Sequence, residues 1–267
     1  MSIATEITRL QTAKADIKTA IEAKGVTVPS SATLDTYDTY VSQISGGGGS
    51  ETLLKSIIQK TATTLSAADI TTAYGTGDTI PDMAFGMYDN NYDSVTTHTW
   101  PYNIPLTSIT LPSNIKNIGY GAFWGANNLT TVDLSNCSNV TIGVDAFTNS
   151  AITSFTAPAG SALKGLVFYT CPNLTTVDLS NADGSTWSST VTTYGYRLLR
   201  NCTALTEVTL PTNVAAIPKE IFSLCSSLRK VNFAGTVAEY TALPKGANYK
   251  QNAGAATVHC SDGTTSL

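Results

Sequence analysis

The sequence predicts an α+β protein in which an N-terminal α-helical segment of two helices precedes a solenoid of short parallel β-strands. Three observations support this fold class. Apolar residues recur at steps of three and four near the N-terminus, a glycine run occupies positions 46–49, and a six-residue motif recurs from residue 106 onward. We therefore expect a helical anchoring and oligomerisation module at residues 1–45, a Gly-rich linker and connector at 46–61, and a repeat domain at 62–267.

The first helix is predicted from a heptad pattern. The candidate oligomerisation residues on its a and d positions are Ile3, Ile7, Leu10, Lys14, Ile17 and Ile21. Isoleucine-rich a and d layers favour trimers or higher states over dimers, so one expectation is a homotrimer in which Lys14 sets the register. The alternative is a hairpin with the second helix of the same chain, because a helix of this length is marginal alone in water.

The second helix is predicted from a shorter pattern of the same kind. Gly25 is a natural helix end, and Pro29 prevents the helix from resuming at once. Apolar residues then recur at steps of three and four at Leu34, Tyr37, Val41 and Ile44. The segment Ser45 to Ser50, with four glycines between the serines, follows as a flexible tether.

The repeat domain is predicted from internal similarity. The recurring motif begins at Leu106, Leu129, Ile152, Leu174, Leu205 and Leu228, with spacings of 23, 23, 22, 31 and 23 residues. Its alternating apolar and polar positions indicate a short strand, as in Leu129-Thr-Thr-Val-Asp-Leu134. Since one such unit buries too few side chains to fold alone, we expect a leucine-rich-repeat solenoid stabilised by stacking.

A second landmark lies about 17 residues into each unit. It is Phe123, Phe147, Phe168 or Phe222, and Leu198 or Leu199 in the irregular unit. Three cysteines follow this position by three residues, at Cys171, Cys202 and Cys225. We expect a buried thiol ladder there rather than metal ligation, because equivalent positions in stacked turns do not converge tetrahedrally.

Composition and charge exclude several classes of partner. Charged residues make up 13% of the chain, and the net charge is −4 with no sequence cluster of Lys or Arg, so we expect no nucleic acid ligand. No run approaches the roughly 18 apolar residues of a membrane-spanning helix, so we expect no membrane insertion. The N-terminus lacks a signal-peptide pattern, which favours a soluble protein made in a cytoplasm.

Candidate catalytic groups are few. His98 and His259 are far apart in the chain, and Asp133 and Asp178 occupy equivalent outward positions of two repeats, which predicts a role in solubility. No hydrolase, metalloprotease or nucleotide-binding motif is present. We therefore expect no enzyme, no metal site and no cofactor.

Aromatic residues in two irregular segments are the candidate receptor-binding residues. They are Tyr88, Tyr92, Trp100 and Tyr102 in the first segment and Trp187, Tyr194 and Tyr196 in the second. Loops on a rigid scaffold commonly carry binding residues, and aromatic rings also stack on sugars. The alternative is that these loops cover the end of the solenoid or pack on a neighbouring subunit.

The repeat units resemble the BspA-like leucine-rich repeats of bacterial and protist surface proteins. The resemblance includes the Leu-Pro pair after the strand in Leu205-Thr-Glu-Val-Thr-Leu-Pro211, the Phe position, and the Cys-x-x-Leu sequence that leads into the next strand. Residues 86–105 and 181–196 depart from the family pattern as insertions. The resemblance implies binding and adhesion, without shared catalytic residues.

The N-terminal segment, from Ile3 to Lys18 and on to Ile44, resembles that of tail-associated and other virion-appended proteins of gut bacteriophages. This implies a virion accessory protein made in the host cytoplasm. Its N-terminal helices would contact other virion proteins, and its repeats would contact a host surface glycan or protein. A purely structural virion subunit and an adhesin on a bacterial cell surface are the alternatives.

Overall fold

The computed structural model describes residues 14–15, 17–19, 21–22, 26–31, 63–85, 105–190 and 193–267. Residues 14–15, 17–19 and 21–22 are helical, whereas the predicted second helix lies outside the described residues. The named elements are β1 Thr64–Leu65, α1 Ala67–Tyr74, β2 Thr79–Ile80, β3 Ser108–Thr110, β4 Asn117–Ile118, β5 Thr131–Asp133, β6 Thr141–Ile142, β7 Ser154–Thr156, β8 Ala162–Leu163, β9 Thr176–Asp178, β10 Glu207–Thr209, β11 Lys230–Asn232, α2 Val237–Ala242, β12 Thr257–Cys260 and β13 Gly263–Ser266.

The predicted short parallel strands are confirmed. One sheet has the order β1-β3-β5, and a second has the order β13-β12-β11-β10-β9-β7. All neighbours in these two sheets are parallel except β12 and β13, which form an antiparallel pair at the end of the stack. A third sheet, β2-β4-β6-β8, collects the second short strand of successive turns. The chain therefore coils as a solenoid.

The core is a column of equivalent side chains. The inward strand residues Val177, Val208 and Val231 pair in register and are at most 2% exposed. Opposite them, the rings of Phe85 and Phe123 are stacked with centroids 5.1 Å apart, and this stack continues through Phe147 and Phe168. Because each ring covers the next, the turns bury apolar surface that no single turn could bury.

The irregular unit continues this column with Leu199. Its backbone N–H donates to Ile221 O at 3.2 Å, as Phe147 N–H donates to Val167 O at 2.9 Å in a regular turn. Leu198 is also fully buried. Leu199 is therefore the equivalent of the core phenylalanine, and the unit keeps its register despite its extra length.

The predicted burial of the three repeat cysteines is confirmed. The side chains of Cys171, Cys202 and Cys225 are fully buried. Each thiol donates to a carbonyl of the preceding turn, namely Phe147 O at 3.1 Å, Phe168 O at 3.0 Å and Leu199 O at 3.0 Å. The thiols thus link consecutive turns through polar contacts inside the core.

Helices α1 and α2 both begin with a capping box. Ser66 Oγ accepts from Asp69 N–H and the Asp69 carboxylate accepts from Ser66 N–H, and Thr236 and Glu239 form the same reciprocal pair. These contacts satisfy backbone donors that a helix start leaves unpaired. In α2, Tyr240 packs edge-on against Phe233 with centroids 5.6 Å apart, which joins the helix to the last turns.

Candidate functional site

The outward side chains of the parallel strands form two straight rows. Because inward residues such as Val177 and Val208 are buried, the residues before and after them in each strand point to solvent. Equivalent residues of adjacent strands are about 4.8 Å apart. In the six-stranded sheet the first row is Ser154, Thr176, Glu207, Lys230 and Thr257, and the second is Thr156, Asp178, Thr209, Asn232 and His259. We call these two rows the strand face.

The charged groups of the strand face are held by their neighbours. Glu207 Oε1 accepts from Lys230 Nζ at 2.9 Å and from Asn232 Nδ2 at 2.8 Å. These hydrogen bonds, first from Lys230 and then from Asn232, lower the pKa of Glu207. Glu207 is therefore ionised at neutral pH and is an acceptor rather than a proton donor.

The two aspartates predicted to face outward have a further structural role. Asp133 Oδ1 accepts from Ser135 N–H at 2.8 Å, and Asp178 Oδ1 accepts from Ser180 N–H at 2.9 Å. The backbone hydrogen bond from Ser135, followed by that from its hydroxyl, lowers the pKa of Asp133. Each carboxylate therefore fixes the turn that leaves its strand, a contact typical of Asx turns.

A ladder of threonine hydroxyls borders the strand face. Thr130 Oγ1 donates to Thr107 O at 3.1 Å, and Thr175 Oγ1 donates to Thr153 O at 2.9 Å. Thr107, Thr153 and Thr206 continue the same pattern between their own neighbouring turns. Because every hydroxyl spans two turns, the ladder orders the surface beside the strands.

A polar cleft of about 670 Å³ lies near the strand ends and was not predicted from the sequence. Its lining includes Asn139, Asn181, Asp183 and Asn213. Asp183 Oδ1 accepts from Asn213 Nδ2 at 2.9 Å and from Ser185 N–H at 3.0 Å. The hydrogen bonds of Ser185 and then of Asn213 lower the pKa of Asp183, so the cleft contains an ionised carboxylate already held by two donors.

The candidate receptor-binding aromatics do not form one surface in the described residues. Tyr88, Tyr92, Trp100 and Tyr102 lie outside them. Trp187 lies in the core and is 3% exposed, so its ring offers almost no surface to a receptor. Gly195 has a φ of 68°, and a Cβ atom there would lie 2.7 Å from Pro218 Cγ and 3.1 Å from the Trp187 ring, which together explain the glycine at that position.

Tyr194 and Tyr196 are half-buried and lie beside basic side chains. Tyr194 OH is 2.6 Å from Lys164 Nζ, and this ammonium lies 3.9 Å from the centre of the same ring. The Arg197 guanidinium lies 4.7 Å from the centre of the Tyr196 ring. Both tyrosines therefore belong to a basic and aromatic environment that sequence spacing did not reveal.

The candidate oligomerisation residues are described only in part. Ile3, Ile7 and Leu10 lie outside the described residues. Lys14 and Ile17 are half-buried, and Ile21 is 1% exposed within the single chain.

Among the described residues, no group of three or more His, Cys, Asp and Glu side chains could hold a metal ion. Nor is any helix in the described ranges long and apolar enough to cross a membrane. The strand face, the cleft and the basic environment of the tyrosines instead offer hydroxyl, amide, carboxylate and cationic groups for hydrogen bonds.

Comparison with known proteins identifies the repeats. The family model described as BspA type leucine rich repeat region matches residues 93–185 and 184–243 in six copies. A leucine-rich repeat protein from Bacteroides ovatus ATCC 8483 is 19% identical over 49% of this chain and 39% of its own, with a TM-score of 0.35. The T. pallidum leucine rich repeat protein is 23% identical over 61% of this chain and 76% of its own, with a TM-score of 0.40. The chain thus spans less than half the length of the first of these proteins, and no curated protein matches it.

Proposed function

Because the chain belongs to the BspA type leucine rich repeat family, we propose that it is a non-enzymatic binding protein whose solenoid presents the strand face to a ligand on a cell surface. Leucine-rich repeat proteins are typically binding proteins. The observation that carries the proposal is the pair of in-register polar rows, from Ser154 to Thr257 and from Thr156 to His259.

The strand face is preorganised for binding. Hydrogen bonds between neighbours, such as Asn232 Nδ2 to Thr209 Oγ1 at 3.1 Å, hold the outward side chains before any ligand arrives. A ligand then pays little ordering entropy to meet them. Hydroxyl, amide and carboxylate groups at strand spacing suit a polar ligand, and a host surface glycan or protein is the proposed partner.

Binding of labelled full-length protein to an array of bacterial surface polysaccharides and to whole bacterial cells tests this proposal. Thr176→Arg places a long cation in the middle of the first row and should weaken binding at least about tenfold, since it blocks the neighbouring groups. The matched control is Thr203→Arg at an exposed turn position outside the strand face. Equal binding by the two variants would show that the ligand does not contact the strand face.

We further propose that the protein is carried on a bacteriophage particle, with its N-terminal helices on other virion proteins. The support is the resemblance of residues 3–44 to virion-appended proteins. Most of residues 3–44 lie outside the described residues. Mass spectrometry and antibody labelling of purified particles test the location. Detection on the outer membrane or wall of uninfected bacteria, without any particle, would favour an adhesin instead.

The mass of the protein in solution tests the proposed homotrimer. Light scattering of the full chain should give about three times the chain mass of 28.0 kDa. Leu10→Asp places a charge in a predicted d position and should give a monomer. A monomeric parent protein would instead favour the intramolecular hairpin or a heterologous virion partner.

A further inference from the structure

Basic and aromatic side chains gather in the tight turns that carry the core Phe and Leu side chains, away from the strands. These turns lie side by side, because Phe168 N–H donates to Leu198 O at 2.9 Å and Leu199 N–H donates to Ile221 O at 3.2 Å. We call the group the turn patch and define it as Tyr169, Tyr196, Arg197, Arg200 and Lys219, grouped around Glu220.

Glu220 is the centre of the turn patch. Its carboxylate accepts two hydrogen bonds from Arg197, Nε to Oε2 at 2.9 Å and Nη2 to Oε1 at 3.2 Å. Arg200 Nε lies 3.2 Å from Oε2 as an ion pair, and Lys219 Nζ lies 3.8 Å from Oε1. The Glu220 side chain is 9% exposed, whereas those of Arg197, Arg200 and Lys219 are 33%, 26% and 39% exposed. The carboxylate therefore lies beneath a more exposed layer of cations.

Tyrosine rings complete the patch. Arg200 Nη1 donates to Tyr169 OH at 3.3 Å, and its guanidinium lies 5.7 Å from the centre of that ring. Arg197 lies 4.7 Å from the centre of the Tyr196 ring. Tyr169 and Tyr196 are both half-buried, so each ring is fixed by the turns while part of it stays at the surface.

The charge of the patch is opposite to that of the chain. Arg197, Arg200 and Lys219 supply three positive charges, and Glu220 supplies one negative charge. The whole chain has a net charge of −4. A buried carboxylate already holds these cationic side chains in position, and the local excess of positive charge favours binding of an anion.

We propose that the turn patch binds an acidic polysaccharide, as a second site in addition to the strand face. Arg197 already donates two hydrogen bonds to Glu220, and Arg200 contacts Glu220 and Tyr169. The remaining N–H groups of the two guanidiniums can donate to carboxylate or sulfate oxygens of a ligand. Half-exposed tyrosine rings offer the apolar surface on which a sugar ring can pack. The negative charge of the rest of the chain disfavours a densely charged polyanion such as nucleic acid, so a sparsely charged sugar polymer is the better match.

Binding of the full-length protein to matched polymers tests the proposal. The probes are dextran, carboxymethyl dextran and dextran sulfate, with both acidic polymers at the same low degree of substitution, together with polyglutamate and single-stranded DNA as densely charged polyanions without a neutral sugar backbone. We expect binding to one or both acidic dextrans, and none to dextran. Carboxymethyl dextran alone would identify carboxylated sugars and dextran sulfate alone sulfated sugars, and either result supports the proposal.

Two single substitutions locate the site. Lys219→Gln removes the most exposed cation, and Arg200→Gln removes the guanidinium beside Tyr169, so each should weaken binding to the acidic dextran about tenfold. The matched control is Lys230→Gln, which removes a similarly exposed charge from the strand face and should change binding less than about twofold. Arg200→Lys keeps the charge without the planar group and should give an intermediate loss.

Three outcomes would overturn the proposal: no binding to either acidic dextran, equal binding to polyglutamate or DNA, or equal losses in Lys219→Gln and Lys230→Gln. Lys219→Gln serves even if Arg200→Gln misfolds, because the Lys219 ion pair is long and partly exposed. Thr176→Arg on the strand face should leave binding to the acidic dextran unchanged. Failure of the strand-face proposal is therefore distinguishable from failure of this one.

Discussion

At the scale of single residues, each tight turn from Phe123 to Phe222 contains two left-handed backbone positions, two residues before and two residues after the core side chain. In the turn around Phe147 these are Asp145 and Asn149, both with φ of 57°. The same pair is Gly121 and Gly125 around Phe123, Leu166 and Thr170 around Phe168, Arg197 and Asn201 around Leu199, and Glu220 and Leu224 around Phe222. Asn149 and Asn201 therefore provide a backbone conformation that asparagine tolerates better than most residues.

Thr170 is the most unfavourable residue at these positions, because it is β-branched and has a φ of 57°. Thr170→Asn should raise the free energy of unfolding by about 1 kcal/mol and the thermal midpoint by about 2–4 °C. Its side-chain oxygen can still accept from Asn201 Nδ2, as Thr170 Oγ1 does at 3.4 Å. The control, Thr203→Asn at an exposed position, should change stability by less than about 0.5 kcal/mol. Equal effects would remove the backbone explanation.

The cysteines differ in their expected reactivity. Burial raises the pKa of Cys225 to about 12 and also raises that of Cys202, whereas Cys260 is half-buried in β12. In the native protein, one thiol of the five should react quickly with a thiol-specific reagent, and all five should react after denaturation. Burial, followed by Asp262, also raises the pKa of Cys260, so its rate should increase above pH 8. Cys260→Ser should abolish the fast reaction. A fast reaction in this variant would show that one of the four buried cysteines is accessible to the reagent, which would contradict the prediction.

At the scale of elements, contacts between neighbouring turns, rather than contacts within a single strand or helix, stabilise the fold. The strands contain two to four residues, too few to be stable alone. The threonine ladder, the thiol contacts and the Glu220 ion pairs all connect one turn to the next. Each turn is therefore stabilised by its neighbours.

The Glu220 ion pairs predict a pH-dependent stability. Burial alone would raise the pKa of Glu220, but the hydrogen bonds from Arg197 and the charges of Arg197, Arg200 and Lys219 outweigh it and lower the pKa below 4.5. Since the folded-state value is the lower one, the stabilisation is fully present above pH 4.5 and is lost as the pH falls through the folded pKa.

Glu220→Gln should therefore lower the free energy of unfolding by about 1–3 kcal/mol at pH 7, less than for a fully buried pair because the arginines are partly exposed. The difference from the parent should shrink in urea titrations below pH 4.5. Glu207→Gln, which removes a carboxylate 39% exposed on the strand face, should cost less than about 1 kcal/mol. A constant difference between Glu220→Gln and the parent across this pH range would contradict the assignment.

At the scale of the whole molecule, the column of core side chains makes the turns cooperative. Phe123, Phe147 and Phe168 are stacked at 5.1 and 5.6 Å, with interplanar angles of 6° and 8°. Phe155 from the strand side packs 4.7 Å from the centre of Phe168. Removing one ring from the middle therefore weakens two interfaces between turns.

Phe147→Ala should lower the free energy of unfolding by about 3–5 kcal/mol, because it leaves a cavity between two rings. Phe147→Leu is the matched control and should cost about 1–2 kcal/mol, since Leu199 fills the equivalent position in the irregular turn. Urea denaturation followed by circular dichroism measures both. Equal losses in the two variants would show that lost ring stacking, rather than the cavity, is responsible.

The sequence by itself was sufficient to predict the repeat fold and the residues that build its core. The motif at Leu129 and Leu174, the phenylalanine position and the three repeat cysteines all recur with one period, and residues that recur with a solenoid period occupy equivalent places in successive turns. Their burial follows from that rule without any knowledge of the final structure. The same periodicity predicted the outward rows of Asp133 and Asp178.

Only the tertiary structure decided which of the remaining side chains meet. Tyr194, Tyr196 and Trp187 are close in sequence, yet Trp187 is buried in the core, whereas the two tyrosines lie beside Lys164 and Arg197. The basic residues of the turn patch, Arg197, Arg200 and Lys219, are 3 and 19 positions apart and form no cluster in the sequence. Their contact depends on how one turn stacks on the next, and stacking joins residues about one repeat apart whatever their type. The period is therefore encoded in the sequence, but the chemistry of a surface built across turns is decided by their packing.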